Sequence, residues 1–385
     1  MKLLVSFCGI FKNEAANIRS TLESVRPWVD RWTIVDTGST DGTQDIIRSA
    51  MEGVPGQLFE ESFVDFAATR NRALDLDRAE WGDLVEFSLM LSGNETLHGG
   101  QELRTFLAAH AHASEGAYCV QMQQGTRLWP YTRVLRRNGG WRYVGRIHER
   151  PVAPNGEVHG PTIPGVRIVH AETDPARKLK RLRELDLRLL TEEAEDSSKP
   201  LYERAHAMFF LAETHALLAA ECGDEIGGPR LSHQMAAMAL YFRYALIAEN
   251  SDGPAHDFDR AMYAYFLFYH LADKVQLYSS AELVPRLEIL VQAAPKMAGA
   301  RFLLAEHSAH IDVRRGLYLA EEAVRVAREA KNNPALEVTD DRFEWLSLRL
   351  AAICAHGMKR FDRARALARE AIAAGAPESM LEGTL

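Results

Sequence analysis

The 385-residue chain predicts an α/β domain on a mainly parallel sheet, followed by an all-helical domain. Three observations predict it. Short apolar runs rich in β-branched and aromatic residues alternate with stretches of helical period through the first half. Strand signals vanish after about residue 190, where Ala, Leu, Glu and Arg recur at helical spacing. The length also exceeds one ordinary core, since domains run to roughly 150 residues each.

Residues 3 to 10, Leu-Leu-Val-Ser-Phe-Cys-Gly-Ile, form the near-continuous apolar run of a buried parallel strand. Ile18, Leu22 and Val25 then recur at helical spacing, and Pro27 ends that helix. Trp32-Thr33-Ile34-Val35 is the second strand, and Gly38-Ser39-Thr40-Asp41-Gly42-Thr43 supplies N-cap residues for a helix holding Ile46 and Ile47. A strand from Gln57 to Glu60, a helix from Phe66 to Leu76 and a strand from Val85 to Leu91 continue the alternation. Such an order implies helices on both faces of the sheet.

In the helical half, Trp345, Leu346, Leu350 and Ala351 precede a turn at Gly357, and Phe361, Ala364, Ala368 and Ile372 follow before Pro377. The pattern resembles a tetratricopeptide helix pair. Weaker pairs run from Tyr202 to Ala248 and from Asp259 through Ala330, so a short solenoid and an ordinary helical bundle both agree with the spacing. The expected domains are 1–175 and 176–385. An oligomer formed through the helical domain is a further expectation.

Composition narrows the class. With 47% hydrophobic and 25% charged residues, both halves have the makeup of globular domains. No apolar run approaches the ~20 residues that span a bilayer. The opening apolar segment is stopped by Lys12-Asn13-Glu14 without a leader-cleavage pattern, so a cytoplasmic location is expected. Cys8, Cys119, Cys222 and Cys354 form no CxxC pair, which argues against a zinc site or a disulfide framework. A net charge of -8 disfavours a dedicated nucleic-acid binder. The basic stretch Arg177, Lys178, Lys180, Arg181, Arg183 and Arg188, diluted by Glu184 and Asp186, reads as a solvated helix face.

In open α/β sheets ligands bind at the carboxyl ends of the strands, and here those ends carry the polar groups. Phe11-Lys12-Asn13-Glu14 follows the first strand, Asp36 through Thr43 the second, and Asp65-Phe66-Ala67-Ala68-Thr69-Arg70-Asn71 opens the helix after the third. These three segments, in this order, resemble family 2 glycosyltransferases over about residues 1–170. GxGxxG is absent after the first strand, which separates the chain from dinucleotide binders. The Gly-rich, lysine-bearing phosphate loop of a nucleotidyltransferase is absent as well.

The resemblance implies a GT-A fold and a nucleotide-sugar donor, with UDP-sugar the first expectation. Asp36 would take the N–H of the base, Phe11 and Asn13 would frame the nucleoside, and Arg70 would lie near the base or the diphosphate. Glu14, Ser39, Asp41 and Asn71 complete that set. Asp41 and Thr43 read equally as a helix cap. The family carries an Asp-x-Asp motif after the fourth strand to hold ribose and a divalent metal. This chain has Ser92-Gly93-Asn94-Glu95 there, so two carboxylates are lost. Ser92 and Asn94 stay in the donor set. A Mn2+ or Mg2+ site would draw on Asn94, Glu95 and His170, with lowered affinity.

Downstream, Tyr131-Thr132-Arg133-Val134-Leu135-Arg136-Arg137 and Gly145-Arg146-Ile147-His148-Glu149 resemble the arginine-rich strand and Gly-x-x-His-Glu segment of one branch of that family. By the same resemblance transfer inverts the anomeric centre, Glu149 is the base, and His148 positions the acceptor, touches the diphosphate or binds metal. Arg133, Arg136, Arg142 and Arg146 would meet charge on the diphosphate, although alternation along a strand lets only some point inward. Acceptors in keeping with the residues are a peptide or protein, a glycan, or DNA carrying a hydroxymethylated base. The competing reading is a catalytically weakened module that binds nucleotide-sugar or protein.

Overall fold

A computed structural model describes residues 3–125, 127–153, 159–171, 174–222, 228–253, 257–331 and 342–381. The chain divides into two compact units, Met1–Asp196 and Ser197–Leu385. The first therefore extends past the expected boundary at residue 175, taking in the basic segment.

The first unit is α/β. Its described strands are β1 (Leu3–Phe11), β2 (Arg31–Asp36), β3 (Gly56–Glu60), β4 (Val85–Met90), β5 (Glu95–His98), β6 (Ala117–Gln124), β7 (Arg127–Arg136), β8 (Arg142–Val144), β9 (Arg150–Val152) and β10 (His159–His170). Eight of these form one sheet in the order β3-β2-β1-β4-β7-β6-β10-β5, and β8 pairs β9 separately. Pairings β3-β2, β2-β1, β1-β4 and β6-β10 are parallel, whereas β4-β7, β7-β6 and β10-β5 are antiparallel. The expected β-α alternation holds through β4. In the antiparallel half, β7 contains the expected arginine-rich strand, whereas β5 and β6 carry no comparable apolar run and were not foreseen.

Helices α1 (Ile18–Val25), α2 (Thr43–Ala50), α3 (Phe66–Trp81) and α4 (Gly100–Ala109) connect these strands. Strand alternation decides which face each helix covers. Val5, Phe7 and Phe11 of β1 pack with Ile18 and Leu22 of α1, Ile47 of α2 and Leu103 of α4. Cys8, between them, packs with Ala67 and Leu74 of α3 on the other face. Helix α3 runs five residues beyond the expected end at Leu76. The reason is Asp77, a polar residue that is fully buried, where it accepts hydrogen bonds from Ser6, Thr33 and Ser88 hydroxyls under the sheet.

Register aligns the strand ends. Phe11 lies beside Asp36, and Asp36 beside Glu60, so the loops after β1, β2 and β3 open on one edge. At the far side His170 of β10 pairs with Glu95 of β5. Helix α5 (Pro175–Arg181) continues through one π-helical segment, Leu182–Asp186, into α6 (Leu187–Glu195).

The second unit is helical among the described residues: α7 (Leu201–Glu221), α8 (Pro229–Asn250), α9 (Phe258–Lys274), α10 (Ser280–Ala293), α11 (Ala298–Ile311), α12 (Val313–Lys331), α13 (Arg342–Gly357) and α14 (Phe361–Ala373). The last two bracket the turn at Gly357 as the periodicity predicts, and Leu348, Ala351, Ala364 and Ala368 form their shared core. No described helix is long and apolar enough to cross a membrane.

Candidate active site at the carboxyl edge of the parallel strands

The loops after β1 and β2 are tied into one another. Asn13, whose φ of 54° is a conformation asparagine tolerates, accepts the Thr40 N–H at 2.8 Å, and its own N–H donates to Ser39 Oγ at 2.8 Å. Asp41 accepts the Ala15 N–H at 3.0 Å and, just ahead of the Gly42 N-cap, the Thr43 N–H and hydroxyl at the start of α2. Glu14 holds Arg177 of α5 at 2.6 Å. Asp36 is 0% exposed, and its carboxylate accepts Gly38 N–H, Ser39 N–H, the Ser39 hydroxyl and the Gln44 amide. That carboxylate organises the turn it begins. Phe11 sits in the core against Phe7. Of the residues assigned to the nucleoside, these two therefore act from beneath the surface.

A second cluster forms where α3, the β4–β5 turn, β7, β8 and the loop before β9 converge. Asp65 caps α3 by accepting the Ala68 N–H at 2.7 Å, which fixes the first turn and carries Arg70 inward. Arg70 is 6% exposed. Its Nε donates to Glu149 Oε1 at 2.5 Å, its Nη2 donates to Ser92 Oγ at 3.2 Å, and its guanidinium lies over Tyr143 at 5.6 Å. The neighbouring Asn71 is a scaffold group: its amide both donates to and accepts from the Tyr143 backbone, each at 2.8 Å.

Glu95 is 2% exposed and pairs with Arg133 at 2.6 Å, while its other oxygen accepts the Ser92 N–H at 2.7 Å. His170 Nδ1 stands 3.6 Å from the same carboxylate, and His170 Nε2 meets the Asn94 amide at 3.2 Å. The Tyr131 hydroxyl donates to the Glu149 carbonyl at 2.6 Å. Tyr131 and Arg133 are two apart on β7, so the period of a strand puts both on one face. That spacing was the available signal for Tyr131, which sequence reasoning passed over. Tyr143 carried none.

Of the four arginines expected to meet a diphosphate, only Arg133 enters this cluster. Arg136 pairs with Glu86, Arg142 with Asp75 at 2.6 Å, and Arg146 with Glu192 at 2.8 Å while its N–H donates to Glu193. Arg146 thus braces the His148–Glu149 loop against α6. His148 has a φ of 52° and is open to solvent on one side, while neighbouring protein atoms crowd its ring. That crowding, then Arg181, pushes its imidazole down to about 4, which leaves it neutral near pH 7.

Burial alone would raise the Glu95 carboxyl, but Arg133, then His170 and the Ser92 N–H, overcome it and hold the group at about 2. A carboxyl lowered in the folded state stabilises it above its unfolded pKa, and that contribution disappears as pH falls through the folded value. The stability difference between wild type and Glu95→Gln, read by urea denaturation, should be on the order of 2–3 kcal/mol at pH 7. It should shrink as pH falls from about 4.5 toward 2.

The donor set does not suit a divalent cation. Both Glu95 oxygens are committed, the Ser92 oxygen already faces the Arg70 guanidinium, and the Asn94 amide nitrogen faces His170. A hard cation needs several anionic or carbonyl oxygens free to converge, and a guanidinium on one of them repels it. Among the described residues no group of three or more His, Cys, Asp or Glu is arranged to hold a metal.

No protein-family profile matches the chain. It is similar to the SPbeta prophage-derived glycosyltransferase SunS of Bacillus subtilis strain 168, at 25% identity over 184 residues, or 47% of this chain and 43% of that protein. The glycosyltransferase SunS of Bacillus phage SPbeta matches at the same identity and coverage. The chain thus spans less than half the length of the curated relatives it matches.

Proposed function

We propose that the chain is an inverting glycosyltransferase that moves a sugar from a nucleotide-sugar, with UDP-sugar the first candidate, to an acceptor hydroxyl or thiol. The observation that carries this reading is the Arg70–Glu149–Ser92 cluster at the carboxyl ends of the strands, a buried cation and a carboxylate where an anionic donor and a proton acceptor are both needed. The distant likeness to a glycosyltransferase supports the same class.

In the reaction Glu149 takes the proton from the acceptor O–H or S–H. The freed lone pair forms the new bond at the anomeric carbon as the bond to the diphosphate oxygen breaks on the opposite face. The electron pair leaves with the nucleoside diphosphate, and the proton on Glu149 passes to solvent. Arg70 opposes the charge that builds on the leaving oxygens, a role for which a fixed fork of donors in a dry site is well suited. The Asn13–Thr40 and Asp36–Ser39 turns form the rigid floor that receives the nucleoside. Neutral His148, exposed beside Glu149, orients the acceptor.

No step here needs a divalent cation. Calorimetric titration of UDP, GDP and their common sugar conjugates, first in excess chelator and then with manganese, tests the reading. The expected result is micromolar binding of one nucleotide, with the two dissociation constants equal within about two-fold, since a cation that joined the site would alter the charge balance far more. Tightening by manganese of more than about ten-fold would restore a metal to the site. Absence of binding by any nucleotide would leave the weakened-module reading.

A further inference from the structure

We propose that the Arg70–Glu149 ion pair is a gate on the base: the donor's diphosphate takes Arg70 from Glu149, and only the displaced carboxylate accepts the acceptor's proton. This rests on the nucleotide-sugar reading of the site given above.

The first support is the state of Glu149. With its Oε1 at 2.5 Å from Arg70 Nε, the carboxylate is engaged in a charged hydrogen bond, so that oxygen is not free to take an acceptor's proton while the pair lasts. The side chains of Arg70 and Glu149 are 7% and 13% exposed, so water does little to screen the pair. A base assigned to proton removal is thus inactive in this arrangement.

The second support is what Arg70 leaves unused. Its Nη1 is buried and has no hydrogen-bond partner, and the same is true of Arg133 Nε and the Tyr143 hydroxyl. These three belong to one cluster: the Arg70 guanidinium lies over the Tyr143 ring at 5.6 Å, and Arg133 lies at 5.1 Å over the ring of Tyr131, whose hydroxyl donates to the Glu149 carbonyl. Buried polar atoms in folded proteins nearly always have partners. Three unpaired groups in one place, each able to donate, describe a receptor for an anion with several oxygens. A diphosphate offers more oxygens and more charge than one carboxylate, so it is the stronger competitor for a guanidinium fork.

The third support is that the carboxylate can leave while its backbone stays. The Glu149 carbonyl is tied to the Tyr131 hydroxyl, and the preceding turn is tight. Gly145 takes a φ of +96°, a conformation side-chain-bearing residues rarely adopt, and a Cβ there would lie in ordinary contact, 3.4 Å, with Glu149 Cα and Ile147 O. Displacement is then a change of side-chain rotamer about a fixed point. The chemical consequence is order: the donor binds first, and acceptor or water meets an active base only when a sugar is in place to receive it.

UDP and GDP titrated in chelator into the full chain and into Glu149→Gln test the gate. The amide removes the competing charge, so the nucleotide that binds should bind the variant about ten-fold more tightly or better. The melting temperature of the nucleotide-free variant should fall in the same samples, because the ion pair is lost. A role confined to structure would lower affinity together with stability. Equal or weaker affinity in Glu149→Gln overturns the gate and leaves the nucleotide site standing. Binding of neither nucleotide to either protein overturns the nucleotide reading and the gate with it. Arg70→Lys keeps the charge but lacks the fork and should weaken binding by about ten-fold or more; wild-type affinity there would also overturn the gate.

Discussion

Glu149→Gln is expected to slow sugar transfer by about 10^2- to 10^4-fold, the range that a positioned general base contributes. The substitution keeps the size and shape of the side chain and removes its ability to take a proton. The fall should appear in kcat, because the donor's affinity is expected to rise in this variant. Release of nucleoside diphosphate from the donor that titration identifies is the measurement, with water or the physiological acceptor receiving the sugar. A decrease in kcat accompanied by a lower KM for the donor separates loss of the base from general loosening of the site, which would raise KM. Turnover at the wild-type rate would move the base to His148, the neutral proton acceptor next to it in the chain.

Asp77→Ala is expected to destabilise the first unit by about 3–5 kcal/mol, the cost of leaving a buried partner charge uncompensated. Asp77 is fully buried and holds Arg137 at 3.3 Å while accepting three hydroxyls, from Ser6 at 2.5 Å, Thr33 at 3.0 Å and Ser88 at 3.2 Å. These come from β1, β2 and β4, so one carboxylate joins α3 to three neighbouring strands. Removing it leaves the Arg137 guanidinium, itself 8% exposed, without its opposite charge, and leaves three hydroxyls short of an acceptor. Chemical denaturation followed by circular dichroism measures the loss. Asp77→Asn keeps two acceptor lone pairs and should cost less, and Asp77→Ala should be partly relieved by removing Arg137 as well. A loss under about 1 kcal/mol would mean that water replaces the carboxylate.

The two results address different layers of one element. Helix α3 holds Arg70 near its start and Asp77 two turns later. Asp77 anchors the helix to the sheet, and that anchoring helps fix where the Arg70 guanidinium meets Glu149. A variant at Asp77 that still folds should therefore bind nucleotide less tightly, although residue 77 lies outside the cluster.

The sequence by itself determined the order of elements from β1 to β4, the change to an all-helical second unit, and the edge of the sheet where polar groups gather. It could do so because element type is written in local period and burial: Ile18, Leu22 and Val25 at helical spacing need no knowledge of distant residues to be read. Arg70, Glu149 and Ser92 were also named as candidates, through the family resemblance of the segments that hold them.

Only the tertiary structure decided what each polar group does. Asp36 and Asn71 have the residue types of ligand contacts, yet one organises its own turn and the other holds the backbone of Tyr143. Arg133 and Arg136 belong to the same arginine-rich stretch, yet one meets Glu95 and the other Glu86. The antiparallel strands β5 and β6 and the burial of Asp77 were equally hidden. The physical reason is common to all of these: a charged or amide side chain gains little until its partner is fixed, and the partner is chosen by chain packing across long separations, 79 residues for Arg70 and Glu149. Apolar periodicity says which side of an element is buried, but the pairing of buried charges is settled only when the elements meet.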